Sequence, residues 1–350
     1  MSDLPEAALP IVAAPMAGGP TTVQLVEAVT RAGGFGFLAA GNKTAEAMAM
    51  EIESLRSRFQ GARIGFGVNL FAPPTAAIAR DAFSAYAARM QEEADDYGIE
   101  LAAAPASGDD EWREKVDTLT QHPVPVVSVT FGLPPVEDIR ALQRAGSTVL
   151  ATVTSPLEAI AASRLGVDGL TVQGYRAGGH SAIHDVSDWP QRIELVDLLQ
   201  SVREVTHLPL IAAGGVNGPE DVRELLDAGA VAVAVGTMLL RTDEAGTSSL
   251  QRRCMTDERF TETALTRAYT GRPARALRNG FVDRHGAEAP WGYPEVHHLT
   301  RPLRQAALRA GDLDRAQMWA GTGFKRAPDG PAEGVIAWLS SQAHASNERE

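Results

Sequence analysis

Cysteine is almost missing from this chain: Cys254 is the only one in 350 residues. That excludes an intramolecular disulfide, a paired redox motif and a cysteine zinc cluster, and fits a reducing compartment. Basic residues are also scarce. Lys and Arg number 32 against 44 Asp and Glu, for a formal net charge of −12. An acidic surface is a poor partner for nucleic acid or anionic lipid, so neither is expected. Long apolar runs are lacking too. The longest, 228–240, is broken by glycine and is shorter than the ~20 residues of a membrane helix. There is no low-complexity segment and no long run of one charge. The start, Met1-Ser2-Asp3-Leu4-Pro5-Glu6, is acidic and lacks a cationic stretch followed by an apolar one. The expectation is a cytoplasmic protein ending in a frayed polar tail at 346–350.

What is present is an ordinary globular composition, 44% hydrophobic and 22% charged. The length exceeds one typical domain and suits either a large α/β barrel with an addition or two ordinary domains. Short apolar runs recur at 10–15, 35–39, 65–70, 124–130, 148–153, 169–172, 208–212 and 231–235. Helical patterns begin between them, near Thr21, Thr44, Thr75, Pro135, Ser155, Gln191, Pro219 and Ser248. The strands are apolar on both faces, as parallel strands covered by helices must be. Eight such units predict a TIM (β/α)₈ barrel, with an open doubly wound sheet as the competing fold. The predicted division is a barrel over 1–241, a small, mainly helical capping domain over 242–310, and a return segment over 311–350. Residues 75–123 form an unusually long crossover, with one helix expected to run to about Tyr97.

Catalysis in such barrels sits where strands end. Eleven of the 33 glycines fall in the loops expected there. Gly214-Gly215 after strand seven and Gly236-Thr237 after strand eight predict a phosphate cradle of peptide N–H groups. After strand six, Gly178-Gly179 lead into His180, a proton-transfer candidate by position and chemistry. His184 follows four residues later, without the helical glutamate of a zinc motif, so no metal is expected. His297 and His298 are expected on the cap surface. Asn69 and Gln173 each offer donor and acceptor groups, suited either to a flavin ring edge or to tying loops together. Met16, after Ala14-Pro15, suits either a flat ring or the core. Thr130, Arg176, Ser181 and Tyr293 complete the mouth as candidate substrate contacts, with Arg301 and Trp319 as cap-side walls.

These residues, in this order, resemble the nitronate monooxygenase family, formerly called 2-nitropropane dioxygenases, and its first class in particular. The segments carrying the resemblance are Ala14-Pro15-Met16-Ala17-Gly18-Gly19, Gly34-Phe35-Gly36-Phe37-Leu38-Ala39-Ala40-Gly41, Phe66-Gly67-Val68-Asn69-Leu70-Phe71, Val172-Gln173-Gly174 through Ala177-Gly178-Gly179-His180, Ile211-Ala212-Ala213-Gly214-Gly215 and Thr270-Gly271-Arg272-Pro273-Ala274-Arg275. The resemblance implies non-covalent FMN, contacted by Ala14, Pro15, Met16, Asn69, Gln173, Gly178, Gly179, Gly214, Gly215, Ala234, Val235, Gly236 and Thr237. It also implies a catalytic His180 and oxidation of alkyl nitronates or nitroalkanes by O₂, propionate 3-nitronate being typical. Either a monomer or a homodimer is compatible.

Two departures bear on substrate preference. The family commonly has Glu and Arg where this chain has Arg176 and Ser181, and an aromatic where it has Asn42. Arg176 either meets a carboxylate or is solvated. The alternatives to nitronate oxidation are an FMN-dependent NAD(P)H reductase of quinones or enoyl thioesters, and a non-redox barrel binding a phosphorylated metabolite.

Overall fold

The computed structural model describes residues 7–60 and 64–343; the acidic start and the polar tail lie outside them. Eight parallel strands close a barrel: β1 (Ile11–Ala13), β2 (Phe35–Ala39), β3 (Phe66–Phe71), β4 (Val126–Thr130), β5 (Thr148–Val153), β6 (Gly169–Gln173), β8 (Leu210–Ala213) and β9 (Ala232–Val235). β9 returns to pair with β1 through Val12↔Ala234 and Ala13↔Val235. All eight expected strands are present, and the closed ring settles the choice against an open sheet. The interior is filled by Val12, Phe35, Phe37, Val126, Leu150 and Ile211. Full burial of each large side chain contributes roughly 1.5–3 kcal/mol. Gly67 is needed inside, because a Cβ there would lie 2.2 Å from the Phe37 ring. Towards the strand ends the inward residues shrink to Ala213 and Ala234.

The covering helices are α1 (Val23–Arg31), α2 (Ala45–Arg58), α4 (Trp112–Gln121), α5 (Val136–Ala145), α6 (Pro156–Leu165), α7 (Leu195–Arg203), α8 (Pro219–Asp227) and α12 (Ala332–Ser340). α12 packs on α1 and α8 and covers β1. Thr44 and Ser155 cap as their sequence context predicts, each accepting from the backbone N–H three residues on.

The long crossover carries two helices rather than one. α3 (Arg80–Asp95) starts five residues later than expected, since Pro74, Thr75 and Ala76 line a cleft instead. α3 leaves the barrel and places Phe83, Tyr86 and Met90 in a second apolar cluster with Tyr269, Phe281, Val296 and Leu299. α4 takes the covering position beside α2 and α5. α7 also starts later than expected, because the Arg267 guanidinium holds the carbonyls of Ser187 and Asp188 just upstream.

Residues after the barrel form α9 (Ser249–Cys254), α10 (Gly280–His285) and α11 (Glu295–Ala310). They also contain strands that the mainly helical reading did not include. β10 (Thr263–Thr266), β11 (Ala274–Leu277) and β7 (Gly179–His180) make a three-stranded sheet in the order β10-β11-β7. Among the described residues no helix is long and apolar enough to cross a membrane.

Candidate active site

His180 is placed by the three-stranded sheet. β7 pairs antiparallel with β11, His180 opposite Ala274 and Gly179 opposite Arg275. Ser181 N then donates to Pro273 O at 2.8 Å. Three buried arginines fasten the same loop by its carbonyls. Arg275 donates to Tyr175 O at 2.7 Å, Arg272 to Ile183 O at 2.6 Å and Arg267 to Ser187 O at 2.6 Å. Gln173 holds the loop from within: its Nε2 donates to His180 O at 3.2 Å, and its Oε1 accepts from Ala182 N at 2.8 Å. Of the two roles open to Gln173, these bonds are those of an amide tying the loop.

The imidazole stands among aromatic rings. Centroids of Trp319, Phe131 and Tyr293 lie 5.3, 5.5 and 5.7 Å from that of His180. Its Nε2 is 2.9 Å from the buried Thr270 Oγ1. Burial, reinforced by the positive charges of Arg272 and Arg304, depresses the His180 pKa to about 3, so the ring is neutral. Arg272 is 4% exposed, and its guanidinium carbon lies 4.2 Å from the Phe131 centroid. Among the described residues no carboxylate lies within ion-pair distance of Arg272 or Arg304. Phe131 holds a positive φ of 78° at the end of β4, a conformation bulky residues rarely adopt and one that clusters at functional sites.

Tyr293 lies here as the sequence suggested. Its hydroxyl donates to Asn42 Oδ1 at 3.2 Å, and Asn42 N donates to Asp110 Oδ1 at 2.9 Å. Phe131, His184, Val186, Arg272 and Tyr293 line a narrow cleft together with Ala72, Pro74, Thr75 and Ala76. His297 corrects the expectation of two surface histidines. It is buried and accepts from Arg304 Nη2 at 3.3 Å, while its neighbour His298 is exposed. Adjacent residues on α11 face apart, and only one meets solvent.

The glycine loops converge on the other side of the β6 loop. Gly214 and Gly215 have φ of 96° and 84°. A Cβ on Gly214 would lie 2.7 Å from Ala177 Cβ, and one on Gly178 would lie 2.4 Å from Gly321 N. Thr237 Oγ1 accepts from Gly321 N at 2.9 Å. Gly321 is thus a third segment of the cradle, which sequence reasoning did not single out. Ala234 and Val235 end β9, Ala14 N donates to Val235 O at 2.9 Å, and Pro15 leads into Met16. A Cβ on Gly236 would lie 3.4 Å from Met16 Sδ.

Asn69 and Thr130 make a separate cluster at the ends of β3 and β4. Asn69 Nδ2 donates to Ser128 Oγ and to Thr130 Oγ1, each at 2.9 Å. Arg176 meets a carboxylate of its own chain, Glu194, at 2.7 Å near solvent. Ser181 is buried, and its hydroxyl has no hydrogen-bond partner among the described residues. His184 Nε2 lies 3.0 Å from Thr152 O, away from a shared ligand position with His180. No group of three or more His, Cys, Asp or Glu among the described residues is arranged to hold a metal.

A closed parallel barrel with glycine-rich loops at its last strand ends and a neutral histidine among aromatic rings has the layout of a barrel enzyme. The family model described as nitronate monooxygenase matches residues 3–340, and the chain belongs to that family. A probable nitronate monooxygenase of Staphylococcus aureus is 30% identical over 338 residues, covering 95% of this chain and 94% of the relative. The crystal structure of a nitroalkane oxidase from Streptomyces ansochromogenes is 43% identical, covers 99% of both chains and superposes with a TM-score of 0.92. FabK from Thermotoga maritima, 23% identical with a TM-score of 0.74, covers 99% of this chain and 96% of its own; it shares the fold.

Proposed function

We propose that this enzyme uses FMN and O₂ to oxidise small nitro compounds, taken either as nitronate anions or as neutral nitroalkanes, with His180 facing the reacting carbon. The observation that carries this is His180, neutral among aromatic rings and near Arg272, which has no ion-pair partner among the described residues.

The residues fit the cofactor. Glycine at 178, 214, 215 and 321 lets these loops pack against one another where a Cβ would clash, and the peptide N–H groups of 214 and 215 with the Thr237 hydroxyl would hold a phosphate there. Ala14, Met16, Ala234 and Gly236 supply a small, apolar surface at the barrel mouth, and Asn69 stands in its own polar cluster at the ends of β3 and β4. FMN, when bound, accepts the substrate's electrons and passes them to O₂.

The chain's own residues do the rest. Arg272 supplies positive potential in a site of low polarity, favouring an anionic nitro group. Phe131, Tyr293 and Trp319 exclude water around the imidazole. His180 orients the anion, or removes the α-proton when the substrate arrives neutral. The cap consists, in this reading, of 242–310 together with α3.

The test is O₂ consumption by FMN-loaded protein with propionate 3-nitronate and with nitroethane. Turnover of neither compound would overturn the reading. Anaerobic addition of NADH or NADPH checks the reductase alternative, which predicts rapid bleaching of the flavin.

A further inference from the structure

Thr270 is fully buried, so no water can stand in for its hydroxyl. That hydroxyl has two neighbours. His180 Nε2 lies 2.9 Å away, and Arg272 O accepts from Thr270 Oγ1 at 3.3 Å. A hydroxyl has one proton and can donate to only one of them. The Arg272 carbonyl is buried and has no other donor among the described residues. A buried carbonyl left without a donor costs roughly 1–3 kcal/mol. Donation from Thr270 to that carbonyl satisfies every group, provided that His180 Nε2 carries a proton and donates it to Thr270. The other ring nitrogen, Nδ1, has no hydrogen bond among the described residues and holds the lone pair. The backbone fixes this arrangement: Thr270 N and Gly271 N both donate to Arg267 O, at 3.1 and 2.7 Å. At Gly271, where φ is 74°, a Cβ would lie 2.5 Å from Gly292 O, so the turn that aims Thr270 requires glycine.

Resting on the nitro-compound reading above, we propose that Thr270 is a positioning residue that keeps the His180 proton on Nε2, leaving Nδ1 to take the α-proton of a neutral nitroalkane. In that step the α-carbon C–H bond breaks, the proton passes to Nδ1 and the electron pair stays on the substrate, which becomes the nitronate. Imidazolium and nitronate form side by side, next to Arg272. A substrate supplied as the nitronate needs no such step, so it should not depend on Thr270. The enzyme therefore acts on both forms, and Thr270 serves only one of them.

Two measurements test this. The first compares wild type, Thr270→Val and Thr270→Ser on nitroethane and on pre-ionised ethyl nitronate. General-base catalysis contributes ~10²–10⁴-fold, so Thr270→Val should lose at least ~30-fold in kcat on nitroethane and less than ~3-fold on the nitronate. Thr270→Ser, which keeps the hydroxyl, should stay near wild type on both. Equal losses on both substrates would make Thr270 merely structural and overturn the proposal, as would no loss on either. Wild-type turnover of the nitronate alone would remove the proton-accepting role of Nδ1. The second measurement needs no turnover. In ¹⁵N-histidine-labelled protein, the His180 signals, assigned by their absence in His180→Gln, should show a protonated Nε2 and a bare Nδ1. A proton on Nδ1 in wild type would overturn the proposal even if both substrates turn over. If neither substrate is oxidised, the nitro-compound reading fails, and the spectrum still reports the tautomer separately.

Discussion

The Arg272 guanidinium lies over the face of Phe131, 4.2 Å from the ring centroid, while its Nη1 donates to Ile183 O at 2.6 Å. One buried cation thus touches the end of β4 and the loop that carries His180. Replacing it with methionine, Arg272→Met, removes both the positive potential and the clasp. Hydrogen bonds to charged groups contribute about 1.5–3 kcal/mol, so kcat/KM for a nitronate should fall by roughly 10- to 100-fold. Arg272→Lys should recover part of that loss, because charge returns without the planar fork. Steady-state O₂ uptake measures both variants, and unchanged kcat/KM in Arg272→Met would remove Arg272 from the anion site.

His180→Ala should keep its flavin and lose turnover of nitroethane by at least ~100-fold. The glycine cradle does not include the imidazole, so the visible spectrum of the purified variant should match wild type. A colourless protein would instead assign His180 a structural role in holding the cofactor.

Gly214→Ala should weaken FMN. The added Cβ meets Ala177 Cβ at 2.7 Å, and the φ of 96° disfavours any side chain. Backbone strain of about 1–3 kcal/mol predicts roughly 5- to 100-fold weaker binding. Titration of apoprotein with FMN, followed by quenching of flavin fluorescence, reads this directly.

Acid should destabilise the protein before its carboxylates titrate. Folded His180 and His297 have pKa values depressed to about 3 and about 2, by burial first, then by Arg272 and Arg304 at His180, and by Arg304, His180, His298 and Arg301 at His297. Tyr293, the other titratable group against these rings, stays neutral throughout, since burial raises its pKa. The unfolded histidines bind protons below about 6.5, while the folded ones do not until far lower. The unfolded state therefore holds more protons across that window, and stability rises with pH within it. Denaturant midpoints should be level above pH 7 and fall progressively below 6.5. A midpoint unchanged between pH 7 and 5 would contradict this.

Glu93→Gln should loosen α3 from the elements it joins. The Glu93 carboxylate binds Arg284 at 2.8 Å, His285 at 2.7 Å and also Arg315, and these partners hold its pKa down to about 2 despite burial. Arg284 keeps Asp314 and Arg315 keeps Asp96 and Asp312, so the variant loses charge-assisted hydrogen bonds between these elements without stranding a cation, at a cost of roughly 1–3 kcal/mol. Calorimetry should show a lower Tm, with the flavin spectrum of the folded protein unchanged.

The barrel was legible because its strands are continuous apolar runs, a pattern that survives any change in loops. Thr44, Ser155 and Ser248 were legible as helix starts for an equally local reason: their hydroxyls cap within three residues. β7 was not legible. Gly179-His180 is too short and too polar to read as a strand, and it becomes one only because Ala274 and Arg275 pair with it across some 95 residues of chain. α4 was missed for a related reason. Only Trp112, Val116 and Leu119 mark its buried face, among residues that otherwise read as a polar loop. At the site, the glycines and His180 stood out by their position after strands. Thr270 and Arg272 lay in a quoted motif, yet nothing local says that a buried threonine will meet a histidine 90 residues earlier. The positive φ of Phe131 is likewise a product of tertiary packing.

His180 follows β6 of the barrel but is hydrogen-bonded into the sheet of β11 and β10. If the residues after the barrel form a cap, it cannot swing open like a lid while leaving the imidazole behind on the barrel. Any wide hinge motion would withdraw His180 together with β11, dismantling the site instead of admitting a guest. A small molecule would then have to enter between fixed elements, and the narrow cleft between Ala72, Pro74, Thr75 and Ala76 on one side and Arg272 and Tyr293 on the other is where widening by substitution should admit larger compounds.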